Sequence, residues 1–240
     1  MSSIFDKIRE RALDVIDEDL LARKVMIKAR ALNPEEAIGN PESKDYPLIK
    51  GRERIMQADL NGSSGQAFTD HYGDFEGYLR DILGTDPANN YRRAVFIASL
   101  NAALKHMGLI AGTIHCKDNE PVECASQLAK YIESSYGKPR ITQIGFQPRF
   151  VQELSNIYEL RVIDLDSENI GTTKFNTLIE GPENTDNAIE WGELLLVTGT
   201  TITNGTIENF LNVKPVLFYG ITIAGAAYLM NWDRFCYMGK

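Results

Sequence analysis

The sequence predicts a chain of two unlike halves, an α+β N-terminal part followed by an α/β part built on a mainly parallel sheet. Three observations predict it. Weakly alternating segments come early and lead into two long helical stretches. In the second half, short apolar runs alternate with helical segments, the pattern that right-handed parallel crossovers need. Those runs, such as Leu194-Leu-Leu-Val197, are apolar at every position, as strands covered on both faces are. The halves divide into residues 1–112 and 113–240.

Ser3 is placed to cap a first helix carrying Ile4, Ile8, Leu13 and Ile16 at roughly helical spacing. Residues 20–32 are ambiguous, but Val25, Ile27 and Ala29 alternate with Met26, Lys28 and Arg30, which suits a strand. The stretch from Asn33-Pro34 through Pro47 is polar, holds three prolines and reads as a loop. Residues 49–60 alternate as a strand, Asn61-Gly-Ser-Ser-Gly65 reads as a turn, and 66–69 as a short strand. Helices are expected over 74–83 and 89–107, the second strongly apolar through Val95, Phe96, Ile97, Leu100 and Leu104. Further on, Glu120-Pro121 opens a helix that Gly137 closes. Strands are expected at 141–145, 160–164, 194–197, 216–219 and 234–237. Helices are expected from Gln147-Pro148, over 184–191, from near Asn204 or Thr206, and from about Thr222.

With 43% hydrophobic and 24% charged residues, the composition is that of a soluble globular protein. The net charge of -8 and the pI of about 5.0 argue against nucleic-acid binding and against docking to an anionic membrane. The longest apolar runs fall far short of the ~20 residues a membrane span needs. The N-terminus lacks the basic-then-apolar pattern of a signal peptide. Three cysteines make a poor disulfide framework, so a reducing cytoplasm is the expected location.

Ligands of open parallel sheets sit beyond the carboxyl ends of the strands. Four such ends carry suitable residues: Gly145 and Gln147; Asp164; the block from Thr198 to Thr206; and Gly220, Thr222 and Gly225. In the block, Gly199 and Gly205 are expected at positive φ, bringing amides to one point beside Thr198, Thr200, Thr201, Asn204 and Thr206. A helix N-terminus near Asn204 would then favour a carboxylate, phosphate or other electron-rich group. The same residues also read as an ordinary strand–helix connection with caps. Asp164 ends a second strand, where nucleotide-binding folds often place a ribose-binding acid. However, Gly145-Phe-Gln lacks the G-x-G-x-x-G turn, and no phosphate loop is present. Asp164 and Asp166 alternate and point to opposite faces, which weakens a shared acid–base role. Asn101 is either a satisfied core amide or a ligand contact between the halves. His115 and Cys116 suit a soft or borderline metal ion, whereas free buried cysteines such as Cys124 and Cys236 are common core residues.

Thr198-Gly-Thr-Thr-Ile-Thr-Asn-Gly-Thr206 with Pro215-Val-Leu-Phe-Tyr-Gly-Ile-Thr-Ile-Ala-Gly225 resembles the bacterial and archaeal family labelled "putative heavy-metal chelation". Ile144-Gly-Phe-Gln-Pro148 and His115-Cys116 fit the same resemblance. It implies an enolase N-terminal-like α+β domain followed by a Rossmann-like α/β domain, with a site in the cleft between them. The expected function is binding of a small molecule or metal complex, with a thiophilic metal ion or a metal-containing small molecule as the cofactor. The rival is an enzyme acting on a phosphorylated or nucleotide-like molecule at that cleft. A third reading is a homodimeric structural protein whose polar loops only cap helices.

Overall fold

The computed structural model describes residues 3–22, 27–41 and 53–240. Helix α1 (Ile4–Val15) starts at Ser3, whose hydroxyl accepts from the Asp6 amide while Asp6 caps Ser3 in return. It buries Ile4, Phe5, Ile8 and Ala12, and Leu13, expected on that face, is exposed. A short α2 (Glu18–Ala22) leads to β1 (Ile27–Leu32); residues 23–26 of the ambiguous stretch lie outside the described residues. The expected loop after Asn33 instead opens with α3 (Pro34–Ile38), because Asn33 and Glu36 form a second capping box. Strands β2 (Arg54–Leu60) and β3 (Ser63–Thr69) are joined at Asn61 and Gly62, with φ of 48° and 83°, the two left-handed positions of a tight hairpin. The helix expected from residue 74 starts later. Phe75–Gly77 forms β4 and pairs antiparallel with β1, and α4 spans Leu79–Gly84. The exposed edge of β1 offers these residues hydrogen bonds that local propensity does not foresee. The result is an antiparallel sheet in the order β3-β2-β1-β4.

Helix α5 (Asn90–His106) is buried from Ala94 through Leu104, which explains why it shows no polar face. It lies across β2 and β3 on one side and against the second half on the other.

That half begins with α6 (Glu120–Tyr136). It continues β5 (Ile141–Ile144), α7 (Pro148–Leu154), β6 (Leu160–Ile163), β7 (Thr173–Lys174), β8 (Thr177–Glu180), α8 (Thr185–Trp191) and β9 (Leu194–Thr198). It closes with α9 (Thr200–Asn204), β10 (Val216–Tyr219), α10 (Ala224–Met230) and β11 (Arg234–Phe235). The sheet order is β11-β10-β9-β5-β6-β8-β7, with every pair parallel except β7–β8. The β7–β8 hairpin was not expected; its turn holds Phe175 and Asn176 at φ of 48° and 60°. The four apolar runs do form neighbouring central strands. One face packs on α6 and α7 through Leu128, Ile132, Phe150 and Leu154. On the other face a single core joins Val197 and Phe218 to Phe96 and Leu100 of α5 and Met56 of β2. Among the described residues no helix is long and apolar enough to cross a membrane.

Candidate functional site

The threonine block does not form the open loop its composition suggests. Gly199 has φ of -60° rather than a positive value, and α9 begins at Thr200, upstream of the expected start near Asn204 or Thr206. Gly199 is required for contact instead, since a Cβ there would lie 2.9 Å from the Ile223 backbone nitrogen. Gly205 does adopt φ of 74°, but as the C-cap of α9, where it rests against the Arg93 guanidinium. The hydroxyls are largely committed. Thr201 Oγ1 donates to Thr198 O (2.8 Å), and Thr203 Oγ1 donates to Phe68 O (2.8 Å). Asn204 is half-buried at the end of α9, and the Thr206 amide donates to Thr201 O (2.9 Å).

Phe68 lies on the edge strand β3, and its amide donates to Thr222 Oγ1 (3.1 Å). Thr203 and Thr222 thus saturate a sheet edge that has no neighbouring strand there. Asn101 reinforces the same joint from α5. Its Nδ2 donates to Gln66 O, Ile221 O and Thr222 O at 3.0, 3.2 and 3.1 Å, and its Oδ1 accepts from the Gly225 amide at 2.7 Å. Completely buried and with both ends of its amide engaged, Asn101 ties the antiparallel sheet to the turn after β10. Gln147 is committed as well, its Oε1 capping α7 by accepting from the Phe150 amide (2.6 Å).

Other groups meet where the carboxyl ends of β5, β6, β9 and β10 approach the start of β2. Gly145 turns at φ of 88°, and a Cβ there would lie 2.8 Å from Thr198 Cγ2. Its carbonyl accepts from Tyr219 Oη and from Gln143 Nε2, both at 2.9 Å. Gln143 is completely buried, and its Oε1 has no hydrogen-bond partner. Thr198 and Thr200 share a hydroxyl–hydroxyl hydrogen bond of 3.0 Å, and Gly220 turns at φ of 93°. Asp164 accepts from the Phe146 and Asp166 amides, each at 2.6 Å. Burial still pushes its carboxyl above the ordinary value; these hydrogen bonds pull the other way and the charge of Asp166 adds to the rise.

Glu53, the residue before β2, completes the group. Burial, and then the charges of Asp164, Asp70 and Asp166, push its carboxyl up to about 7. Glu53 thereby brings a side chain of the antiparallel half to the ends of the parallel strands. Tyr219 is also held protonated, first by burial and further by the charges of Asp164 and Glu53. Sequence reasoning missed Glu53, Gln143 and Tyr219. A glutamine within the fully buried Ile141–Ile144 strand was the one local signal; Glu53 gave none.

His115 and Cys116 lie against the face of β3 that carries Gln66 and Phe68. The His115 amide donates to Gln66 Oε1 (2.8 Å), its Nδ1 is 2.5 Å from Cys116 O, and its ring meets Phe68 edge-on at 5.2 Å. Burial lowers the imidazole to about 4, so it is neutral at pH 7. Burial raises the Cys116 thiol above its ordinary value, and the nearby Cys124 and Cys236 raise it further. Among the described residues, no group of three or more His, Cys, Asp or Glu side chains is arranged to hold a metal ion.

Comparison with known proteins finds a family model similar to part of the chain. The model of the family DUF364, described as "Putative heavy-metal chelation", matches residues 130–227, which run from α6 to α10. A DUF364 protein of unknown function from Pyrococcus horikoshii is similar in structure, with a TM-score of 0.55 at 16% identity over 91% of this chain and 79% of that one. A second, from Desulfitobacterium hafniense, gives 0.56 at 10% identity over 94% and 82%. Those identities speak for the fold alone. No curated protein matches the chain. Residues 130–227, less than half of the chain, are thus similar to the family described as "Putative heavy-metal chelation".

Proposed function

We propose that the protein binds a small ligand where the two sheets meet, between Glu53 on one side and Gly145, Asp164, Thr198, Thr200, Gly220 and Tyr219 on the other. One observation carries this reading. Glu53 and Asp164, from different halves of the fold, are both half-buried and near enough for the charge of Asp164 to raise the Glu53 carboxyl, yet no basic side chain among the described residues forms an ion pair with either. A fold gains nothing from opposing two desolvated carboxyls, so a ligand that rewards the arrangement accounts for it. The family description favours a metal complex as that ligand. Lacking a chelating group of three or more among the described residues, the site suits an intact small molecule better than a bare ion.

The rival reading, turnover of a phosphorylated or nucleotide-like molecule, has less support. A phosphate would meet carboxylates where it needs cations.

Native mass spectrometry and metal analysis of protein purified anaerobically test the proposal. A co-purifying small molecule that is lost in Asp164→Asn, while the variant remains folded, is the expected result. A ligand retained unchanged in Asp164→Asn and Thr198→Val would place binding elsewhere.

A further inference from the structure

We propose that a second cavity, between the start of α1, Arg93 of α5 and the segment after α9, binds a small zwitterion, an amino acid in the broad sense. Its carboxylate would sit on Arg93 and its ammonium on Glu208 and Asp86. This site goes beyond the reading above and shares no residue with it.

The cavity has a volume of about 420 Å³ and is walled by the first turn of α1, the turn between α4 and α5, Arg93 and Glu208. Small-molecule sites span roughly 300–1,000 Å³, so it is large enough for a ligand of this size. Two of its charged side chains are matched to each other. Arg9 pairs with Asp6 at 3.1 Å and is fixed further by donating to Leu83 O (2.6 Å) and Thr85 O (3.0 Å).

The other three charges are not. Arg93 is half-buried and donates only to neutral acceptors: from Nε to Thr203 O (2.8 Å), from Nη1 to Pro87 O (3.0 Å) and from Nη2 to Asn90 Oδ1 (2.5 Å). A guanidinium has five N–H groups, so two remain for a ligand. Among the described residues no carboxylate forms an ion pair with Arg93. Asp70, whose charge reaches it, lies beyond Asn90, which donates to Asp70 at 2.7 Å. Glu208 is anchored by accepting from the Ile4 amide at 2.9 Å, and neither Glu208 nor Asp86 pairs with a basic side chain among the described residues. The fold thus holds one cation and two carboxylates around one cavity without letting them pair. Three hydrogen bonds keep the guanidinium from swinging to either carboxylate, so its charge is left for an anionic group from outside. An anion alone would also meet Glu208 and Asp86, and a cation alone would meet Arg93. A molecule carrying both charges satisfies both sides. Because Arg93 pairs with neither carboxylate, the charged ends of the ligand are several bonds apart, as they are in γ-aminobutyrate.

Thermal unfolding at about pH 7 with γ-aminobutyrate, butyrate or n-butylammonium, each at the same concentration, tests this, since both ends of the zwitterion are then charged. γ-Aminobutyrate is expected to raise the unfolding temperature by about 3 °C at roughly ten times its dissociation constant, and the two singly charged analogues to leave it unchanged. Glu208→Gln keeps an acceptor for the Ile4 amide and removes the charge. Calorimetric titration is expected to show γ-aminobutyrate binding about tenfold weaker in that variant, and binding lost in Arg93→Gln, so that misfolding of one variant leaves the other informative. Asp164→Asn, at the other site, is expected to leave the affinity intact.

No shift with γ-aminobutyrate, an equal shift with butyrate or with butylammonium, or unchanged affinity in Glu208→Gln would each overturn the zwitterion assignment. Affinity lost in Asp164→Asn and retained in Glu208→Gln would move γ-aminobutyrate to the site at Glu53 and sink this inference while leaving that reading standing.

Discussion

At Glu53, burial and three neighbouring carboxylates hold a proton up to about pH 7, whereas in the unfolded chain it leaves near the ordinary value of 4.5. Between those values the folded state binds more protons than the unfolded state, so this group makes stability fall as pH rises. Glu53→Gln is therefore expected to be neutral in acid and stabilising by about 2 kcal/mol at about pH 8, read from urea denaturation at several pH values. His115 acts with the opposite sign. Its folded value, about 4, lies below the ordinary 6.5, so its contribution is present above that value and is lost as pH falls towards 4. His115→Gln is expected to flatten the acid limb of the profile and leave the limb above neutrality intact. Asn101 provides a test that does not involve charge. Asn101→Leu strands the Gly225 amide and three carbonyls in the core, and a loss of about 3 kcal/mol is expected by denaturation. None of these environments is visible locally, since each is made by residues distant in sequence.

At the scale of elements, the strand-to-helix step after β9 shows how one residue pattern can serve either of two purposes. Threonines and glycines between a buried strand and a helix suit a ligand loop and suit a docking joint equally well. Here Thr203 and Thr222 are drawn to the edge of β3, and α9 starts as soon as β9 ends. Gly205 then caps a helix rather than presenting amides. Gly205→Ala is expected to cost about 1 kcal/mol of stability, from its positive φ, and to leave ligand affinity unchanged. A larger loss of affinity than of stability would return the glycine to the site. The long helices and apolar strands were legible because their periodicities are strong. Helix α3, strand β4 and the β7–β8 hairpin were not, because they are short and depend on caps or on a waiting strand edge.

Across the whole molecule, α5 belongs to both halves. It covers β2 and β3 and also contributes Phe96 and Leu100 to the core that includes Val197 and Phe218. The division at residue 112, natural in sequence, passes beneath a shared core. Thr113 and Ile114 also hydrogen-bond with Lys240 while the Gln66 amide donates to Thr113 O, so the last residue is tied to the antiparallel half. Calorimetry is expected to show one unfolding transition for the full chain, and separately expressed fragments 1–112 and 113–240 are expected to lack cooperative transitions. Two resolved transitions would show that the halves are energetically independent.

The sequence by itself determined the class of each half, the four central parallel strands, the long helices and the ends of the strands at which to look for a site. These follow from patterns within a few residues: apolar periodicity, capping chemistry and turn glycines. Which polar residues join the halves and which remain for a ligand was decided only by the tertiary structure. Asn101, Thr203 and Thr222 became joints because a sheet edge and a turn came within hydrogen-bond reach. Glu53 joined the candidate site because folding carried it, across more than a hundred residues of chain, to where the charge of Asp164 raises its carboxyl.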